Sequence, residues 1–269
     1  MDKKIALLNK KEILETISKA ALSKLDSLIV SKKTGSTNDD AKNTLRESGV
    51  NLCAHFAEQQ NSGRGRGGKN WTSPFAKNIY FSMGWNSNLT LSEIEGLSLA
   101  VGVVVAEALQ KFINESIKIK WPNDLFIKKK KVGGILIETS SGADNNLEIV
   151  IGIGINIFMD EKEATTIDQP WTILDDYKKT TINRNQIASS LIDGMTELTA
   201  IFQRDGFKAY KERFNLLNVL KDKECKMVDS KNQERTGLVE GINDKGELLL
   251  KINNKIIEFR YGEVSIREL

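Results

Sequence analysis

The segment Gln60-Asn61-Ser62-Gly63-Arg64-Gly65-Arg66-Gly67-Gly68-Lys69-Asn70-Trp71 places the first limit on the fold. It cannot be a core strand, because glycine packs nothing and arginine resists burial. It cannot be a sound helix, since each interior glycine costs about 1 kcal/mol relative to alanine. It can be a loop whose backbone comes close to a ligand. Its N–H groups make a concavity for anions, and Arg64, Arg66 and Lys69 add full charge. Loose arginine-glycine segments that bind nucleic acid sit in low-complexity tails. This one lies between two apolar, strand-like runs, 51–58 and 78–85. The expectation is a loop that closes over phosphate or carboxylate.

The rest of the composition removes other chemistries. Net charge is +3, from 39 basic and 36 acidic residues, too balanced for nucleic-acid binding by the whole chain. The single histidine, His55, argues against a histidine-based triad or metal site, and its strand setting favours a packed role. Cys53 and Cys225 match no zinc spacing and read as reduced thiols, so a cytoplasmic location is expected. No apolar run reaches the roughly 18 residues of a membrane helix, and no membrane partner is expected.

Along the chain, the spacing of Ile5, Leu8, Ile13, Ile17 and Ala21 predicts one or two short helices, then a strand near 28–31. Thr34-Gly35-Ser36-Thr37-Asn38 reads as a turn into a helix ending near Ser48. The Ser36 and Thr37 hydroxyls suit either helix capping, the simpler reading, or a small polar ligand. Residues 91–114 form the strongest helical pattern, apolar on most sides. Ile117 to Lys120 then leads through Trp121-Pro122-Asn123-Asp124 into a short strand. Lys128–Lys131 is read as a turn, and Val132–Glu138 as the return strand. Lys131 stands beside Gly133-Gly134, where a lone ammonium can meet an anion. In the strand 149–157, Gly152 and Gly154 share a face, leaving either a slot for a narrow ligand or a point of close packing. Pro170-Trp171 opens a helical region, and two further helices are read over 184–217. After Val219 come short strands with close turns, the pattern of a small β-barrel. The division expected is 1–218 and 219–269.

These motifs occur in the order and spacing of one family. The chain resembles the biotin protein ligases, through Gly35-Ser36-Thr37-Asn38, the Gly-Arg-Gly-Arg segment, Lys120-Trp121-Pro122-Asn123-Asp124, Lys131-Val132-Gly133-Gly134 and Gly152-Ile153-Gly154-Ile155-Asn156. The resemblance implies an α+β fold: a mixed sheet flanked by helices, related to class II aminoacyl-tRNA synthetases, plus an SH3-like C-terminal barrel. It implies ATP-dependent activation of biotin as biotinyl-5′-AMP, with Mg²⁺ accompanying ATP and no protein metal ligands assigned. Transfer to a lysine of a biotin carboxyl carrier protein follows. Ser36, Thr37, Asn38, Gln60, Gly63 and Arg64 would meet the biotin head. Gly133, Gly134, Gly152 and Gly154 would floor its ring and tail. Arg64 and Arg66 would close over the adenylate, and Lys131 would bridge the carboxylate and α-phosphate. Lys69, Trp71, Asn123, Asn156 and Trp171 would serve the nucleotide, with the two tryptophans flanking adenine. Asp124 would position or deprotonate the incoming lysine.

Two departures follow from the same resemblance. Only about 30 residues precede Ser36, so a ligase without its own DNA binding is expected, as monomer or homodimer. Well-known members carry a third arginine where Gly67 stands, so this loop is expected to be less cationic and more flexible. The alternatives are a lipoate ligase or octanoyltransferase of the same fold, or an RNA-binding module using the Arg/Gly loop.

Overall fold

The computed structural model describes residues 5–142, 146–229, 233–260 and 264–268. Two short helices open it: α1 (Lys10–Thr16), capped by the Asn9 side chain, and α2 (Lys19–Leu22), capped by Ser18. Next come β1 (Ser27–Ser31), α3 (Thr37–Ser48), β2 (Leu52–Ala57) and β3 (Ile79–Ser87). α3 stops at Gly49, whose φ of 62° is the left-handed conformation that ends helices. α4 covers Leu97–Gln110 and is buried almost all round, as its apolar composition requires. It is shorter than the pattern over 91–114. Gly96 holds φ 78° at its N-cap, and a side chain there would stand 2.5 Å from Phe207. The chain therefore turns sharply before the helix begins.

β4 (Lys118–Lys120), β5 (Asp124–Ile127), β6 (Lys130–Ser141) and β7 (Leu147–Ile155) complete a seven-stranded sheet of order β1-β2-β3-β7-β6-β5-β4. β1 runs parallel to β2, and the other pairs are antiparallel. Only Lys128 and Lys129 make the β5–β6 turn, both at positive φ. Lys130 and Lys131 belong to β6, which corrects the four-lysine turn. After Trp171 the backbone stays extended until a 3-10 turn over Leu174–Tyr177, so the expected helical region there is one short turn. α5 (Arg184–Asp205) and α6 (Lys211–Leu217) follow.

The sheet separates two packing layers. On one face α3 sets Ala41 and Leu45 against Cys53 and Val150. On the other, α4 and α5 join Phe81, Met83, Ile151 and Ile153 in the main core. A second, five-stranded antiparallel sheet has the order β11-β10-β9-β8-β12. It is built from β8 (Glu224–Asp229), β9 (Glu234–Ile242), β10 (Leu248–Ile252), β11 (Lys255–Phe259) and β12 (Val264–Glu268). This matches the expected small SH3-like unit, with β12 as a strand the pattern did not reveal. Its Leu248, Leu250 and Val239 are continuous with the main core.

Candidate active site

The α3 face of the sheet carries the site, and glycines shape it. Gly152 and Gly154 of β7 face the same way, as do Ser82 and Tyr80 opposite them on β3. The bare positions are not empty. A side-chain carbon at Gly154 would stand 2.4 Å from the Trp71 ring, and one at Gly152 would stand 2.4 Å from Asn38 Oδ1. The slot expected above these glycines is therefore filled by the chain's own Trp71 and Asn38. Gly134 lies beneath the same indole, with Lys131 and Asp124 at its other sides.

A polar pocket adjoins this floor. Thr37 donates from its backbone N–H (2.9 Å) and its hydroxyl (3.1 Å) to Gln60 Oε1. Gln60 Nε2 donates to Ser73 Oγ at 3.2 Å. Ser82 Oγ lies 2.7 Å from Thr37 Oγ1 and donates to Asn38 Oδ1 at 2.6 Å. Ser36 stands at the N-cap of α3 but makes no side-chain cap bond. Plain capping, the simpler reading of the sequence, is thereby overturned for Ser36. Ser36, Thr37 and Asn38 are all buried, and the Thr37 and Asn38 side chains meet Gln60, Ser82 and Glu138.

The Gly/Arg segment is a tight hairpin-like excursion. Trp71 N–H donates to Gly63 O at 2.9 Å, and Gly65 N–H to Lys69 O at 2.6 Å. Gly63 has no room for a side chain, with Trp71 O at 2.7 Å from where one would begin. Gly67 (φ 63°) and Gly68 (φ 75°) turn the tip in the left-handed region. An arginine at position 67 would thus be strained. Arg66 Nη1 reaches Asn123 Oδ1 at 3.2 Å, while Lys69 is exposed at the tip. Arg64 forms a two-pronged pair with Asp39 and also approaches Glu138.

A register shift in the β5–β6 hairpin aims Lys131. Leu125 pairs with Gly133 but Phe126 pairs with Lys131, leaving Val132 as an extra residue. Such bulges redirect side chains, and here Lys131 and Gly134 come to the same face. Lys131 Nζ sits 2.8 Å from Asp124 Oδ1 and 5.5 Å from the Trp71 ring centre. Both partners of this ion pair are mostly shielded, 15% and 22% exposed, so the pair is weakly screened. Trp171 bridges Lys131 through backbone, with Lys131 N–H on Pro170 O (3.0 Å) and Thr172 N–H on Lys131 O (2.9 Å). Asn156 is buried and braces that segment, its side-chain amide on Thr172 O at 3.4 Å.

The structure therefore gathers Gln60, Thr37, Asn38, Trp71, Asn123, Asp124, Lys131 and three of the expected glycines, Gly134, Gly152 and Gly154, around one face. Gly133 pairs with Ile155 and faces Leu125 on the core side, because strand positions alternate, so it is no part of the floor. Asp39, Ser82 and Glu138 were not singled out from sequence. Asp39 adjoins Asn38 in the chain, but the partners of Ser82 and Glu138 lie 44 to 100 residues away. A second buried network also escaped notice. Arg184 Nη1 donates to Glu58 Oε2 at 2.7 Å and to Asn78 O at 3.1 Å. Arg184 Nη2 donates to Ala6 O at 2.7 Å. Glu58 and Asn78 frame the Gly/Arg segment, so this pair fixes both its ends.

A mixed sheet thus carries a shielded lysine, a glycine floor and a cationic loop on one face, an arrangement suited to an anionic ligand. The sequence profile of the Biotin/lipoate A/B protein ligase family matches residues 30–156, which hold every one of these elements except Trp171. The Biotin protein ligase C terminal domain matches residues 222–267, the second sheet. The chain belongs to the biotin protein ligase family. It is 36% identical over 214 residues to the Bifunctional ligase/repressor BirA of Salmonella typhimurium, covering 80% of this chain and 66% of that protein. The chain thus spans about two thirds of that relative's length. It is 28% identical to the Biotin–[acetyl-CoA-carboxylase] ligase of Mycobacterium tuberculosis, with 88% of each chain covered. The structure of the biotin protein ligase from Aquifex aeolicus in complex with biotin and ATP superposes with a TM-score of 0.74 at 29% identity. It covers 91% of this chain and 100% of that one.

Proposed function

We propose that this chain is an ATP-dependent biotin–protein ligase. Biotin's carboxylate oxygen attacks the α-phosphorus of ATP and pyrophosphate leaves. A carrier lysine's amine then attacks the acyl carbon, loses a proton, and AMP leaves. The observation that carries the reading is Lys131, held 2.8 Å from Asp124 beside the glycine floor. The first step brings a carboxylate against a polyphosphate, and preorganised cations at that point lower its barrier. Lys131 is a shielded cation on a rigid strand, and Arg66 faces the same hairpin through Asn123. The pocket of Thr37 and Gln60 suits a cyclic urea, which both donates and accepts hydrogen bonds. The Trp71 ring, 5.5 Å from the Lys131 ammonium, suits a flat nucleotide base, and Trp171 adjoins Lys131 through its backbone bridge. Asp124 neutralises Lys131 until substrate competes for it, and is then placed to receive a proton from the acceptor amine.

No cluster of three or more metal-ligating side chains occurs among the described residues. Mg²⁺ would accompany ATP and screen its phosphate charge. Residues 1–218 act as the catalytic unit and 219–269 as the C-terminal unit, and the acceptor is a biotin carboxyl carrier domain. Cys53 and Cys225 are both buried and form no disulfide, which accords with a cytoplasmic location. ATP–pyrophosphate exchange tests the reading: it is expected to depend on biotin. Lys131→Ala should reduce it on the order of 10²–10³-fold with the fold intact. Exchange supported by lipoate and not by biotin would overturn the substrate assignment.

A further inference from the structure

The three cations of the Gly/Arg loop are not equivalent. Arg64 presents Nη1 to Asp39 Oδ2 at 2.8 Å and Nη2 to Asp39 Oδ1 at 2.6 Å. The same Nη2 lies 3.5 Å from Glu138 Oε2, which also accepts from Asn38 Nδ2 at 2.6 Å. Asp39 is in the first turn of α3, and Glu138 is in the middle of β6. One guanidinium thus spans two separate elements of the scaffold and meets two negative charges. Its planar fork matches Asp39 in the two-pronged geometry that gives arginine–carboxylate pairs their directionality. On the backbone side, Arg64 pairs with Asn70 across the loop. The loop is therefore tied to the scaffold through Arg64.

We infer that Asp39 and Glu138 form a latch that holds the Gly/Arg loop in place through Arg64, so that Arg64 is a positioning residue and not an anion ligand. The charge count supports this: two carboxylates already face one guanidinium, leaving no net positive charge for an incoming phosphate. The Arg64 hydrogen bond also holds the Asp39 carboxyl below its ordinary range. Arg66 and Lys131 are then the cations that meet the reacting groups. The kinetic arm below rests on the proposed ligase activity, while the exchange arm does not.

Hydrogen exchange of the ligand-free full chain tests the latch. Amides of residues 62–71 should exchange about 3–10-fold faster in Asp39→Asn and in Arg64→Gln than in wild type, with other segments unchanged. The double variant should exchange no faster than Arg64→Gln alone, because both changes break one contact. Unchanged loop exchange in Asp39→Asn, or additive effects in the double variant, would overturn the latch. In the kinetic arm, Asp39→Asn and Glu138→Gln should raise KM for biotin and speed escape of the adenylate several-fold, with kcat kept within about two-fold. Arg64→Gln losing kcat while Asp39→Asn behaves as wild type would return Arg64 to the reacting anion and sink the inference.

Discussion

Arg184 and Glu58 are 1% and 3% exposed, and their opposite charges meet at 2.7 Å inside the protein. Removing one partner leaves an uncompensated buried charge, which costs about 3–5 kcal/mol. Arg184→Met should lower stability by that amount in urea unfolding, and adding Glu58→Met should recover part of the loss. No recovery in the double variant would show that the pair is not the source. His55 offers a second residue-scale effect. Its Nε2 lies 3.0 Å from Thr44 Oγ1, its Nδ1 is buried with no partner, and burial lowers its pKa despite the opposing charge of Asp40. The folded state resists the proton that the unfolded chain takes up near pH 6.5. Stability from this group is therefore present above about pH 6.5 and is lost as pH falls below it. The thermal midpoint should drop between pH 7.5 and 5.5, and less steeply in His55→Gln. Equal slopes would remove His55 as the cause. The packed role for His55 was legible from its neighbours Ala54 and Phe56. The Arg184 pair was not, because its partners lie 126 residues apart and nothing local marks either one.

At the level of elements, local pattern and tertiary contact divide the work. α3, β2, β3 and β7 were readable because their periodicity is strong and their ends carry turn residues. The β5–β6 hairpin was misjudged since four lysines look alike in sequence. Pairing with β5 and β7 decides which of them turn, and the bulge at Val132 then decides where Lys131 points. The glycines of β7 were legible as bare positions, but their occupants were not. Gly154→Ala makes the distinction measurable. Its added carbon would meet the indole at 2.4 Å, so Trp71 must shift and loosen the loop that carries it. Weaker binding of biotin and nucleotide together is expected by calorimetry. Wild-type affinity for both would mean that Trp71 has no role at the slot. Gly67→Arg should also cost about 1–2 kcal/mol of loop order, because position 67 holds φ 63°.

Across the whole molecule, the Trp-Pro motif joins the two sheets. Trp121 is 1% exposed, and its Nε1 donates to Gly246 O in the β9–β10 turn at 3.0 Å. Gly246 itself packs so closely on Gly96 that a side-chain carbon would stand 2.9 Å from the Gly96 Cα. Trp121 also lies two residues before Asn123, so the C-terminal unit touches the segment that frames the site. Trp121→Phe should strand that carbonyl and cost about 1–3 kcal/mol, measured by thermal unfolding. The motif itself was visible in sequence, but its partner across the molecule was not. One feature of the site has an optical consequence. The chain has four tryptophans; Trp85 and Trp121 are buried in the core, the Trp71 ring lies beside the Lys131 ammonium, and Trp171 bridges Lys131 through backbone. With an ammonium 5.5 Å from its ring, Trp71 emits under the influence of a charge whose partner changes when an anion arrives. The protein's native fluorescence is therefore a built-in readout of anion arrival at Lys131, needing no label.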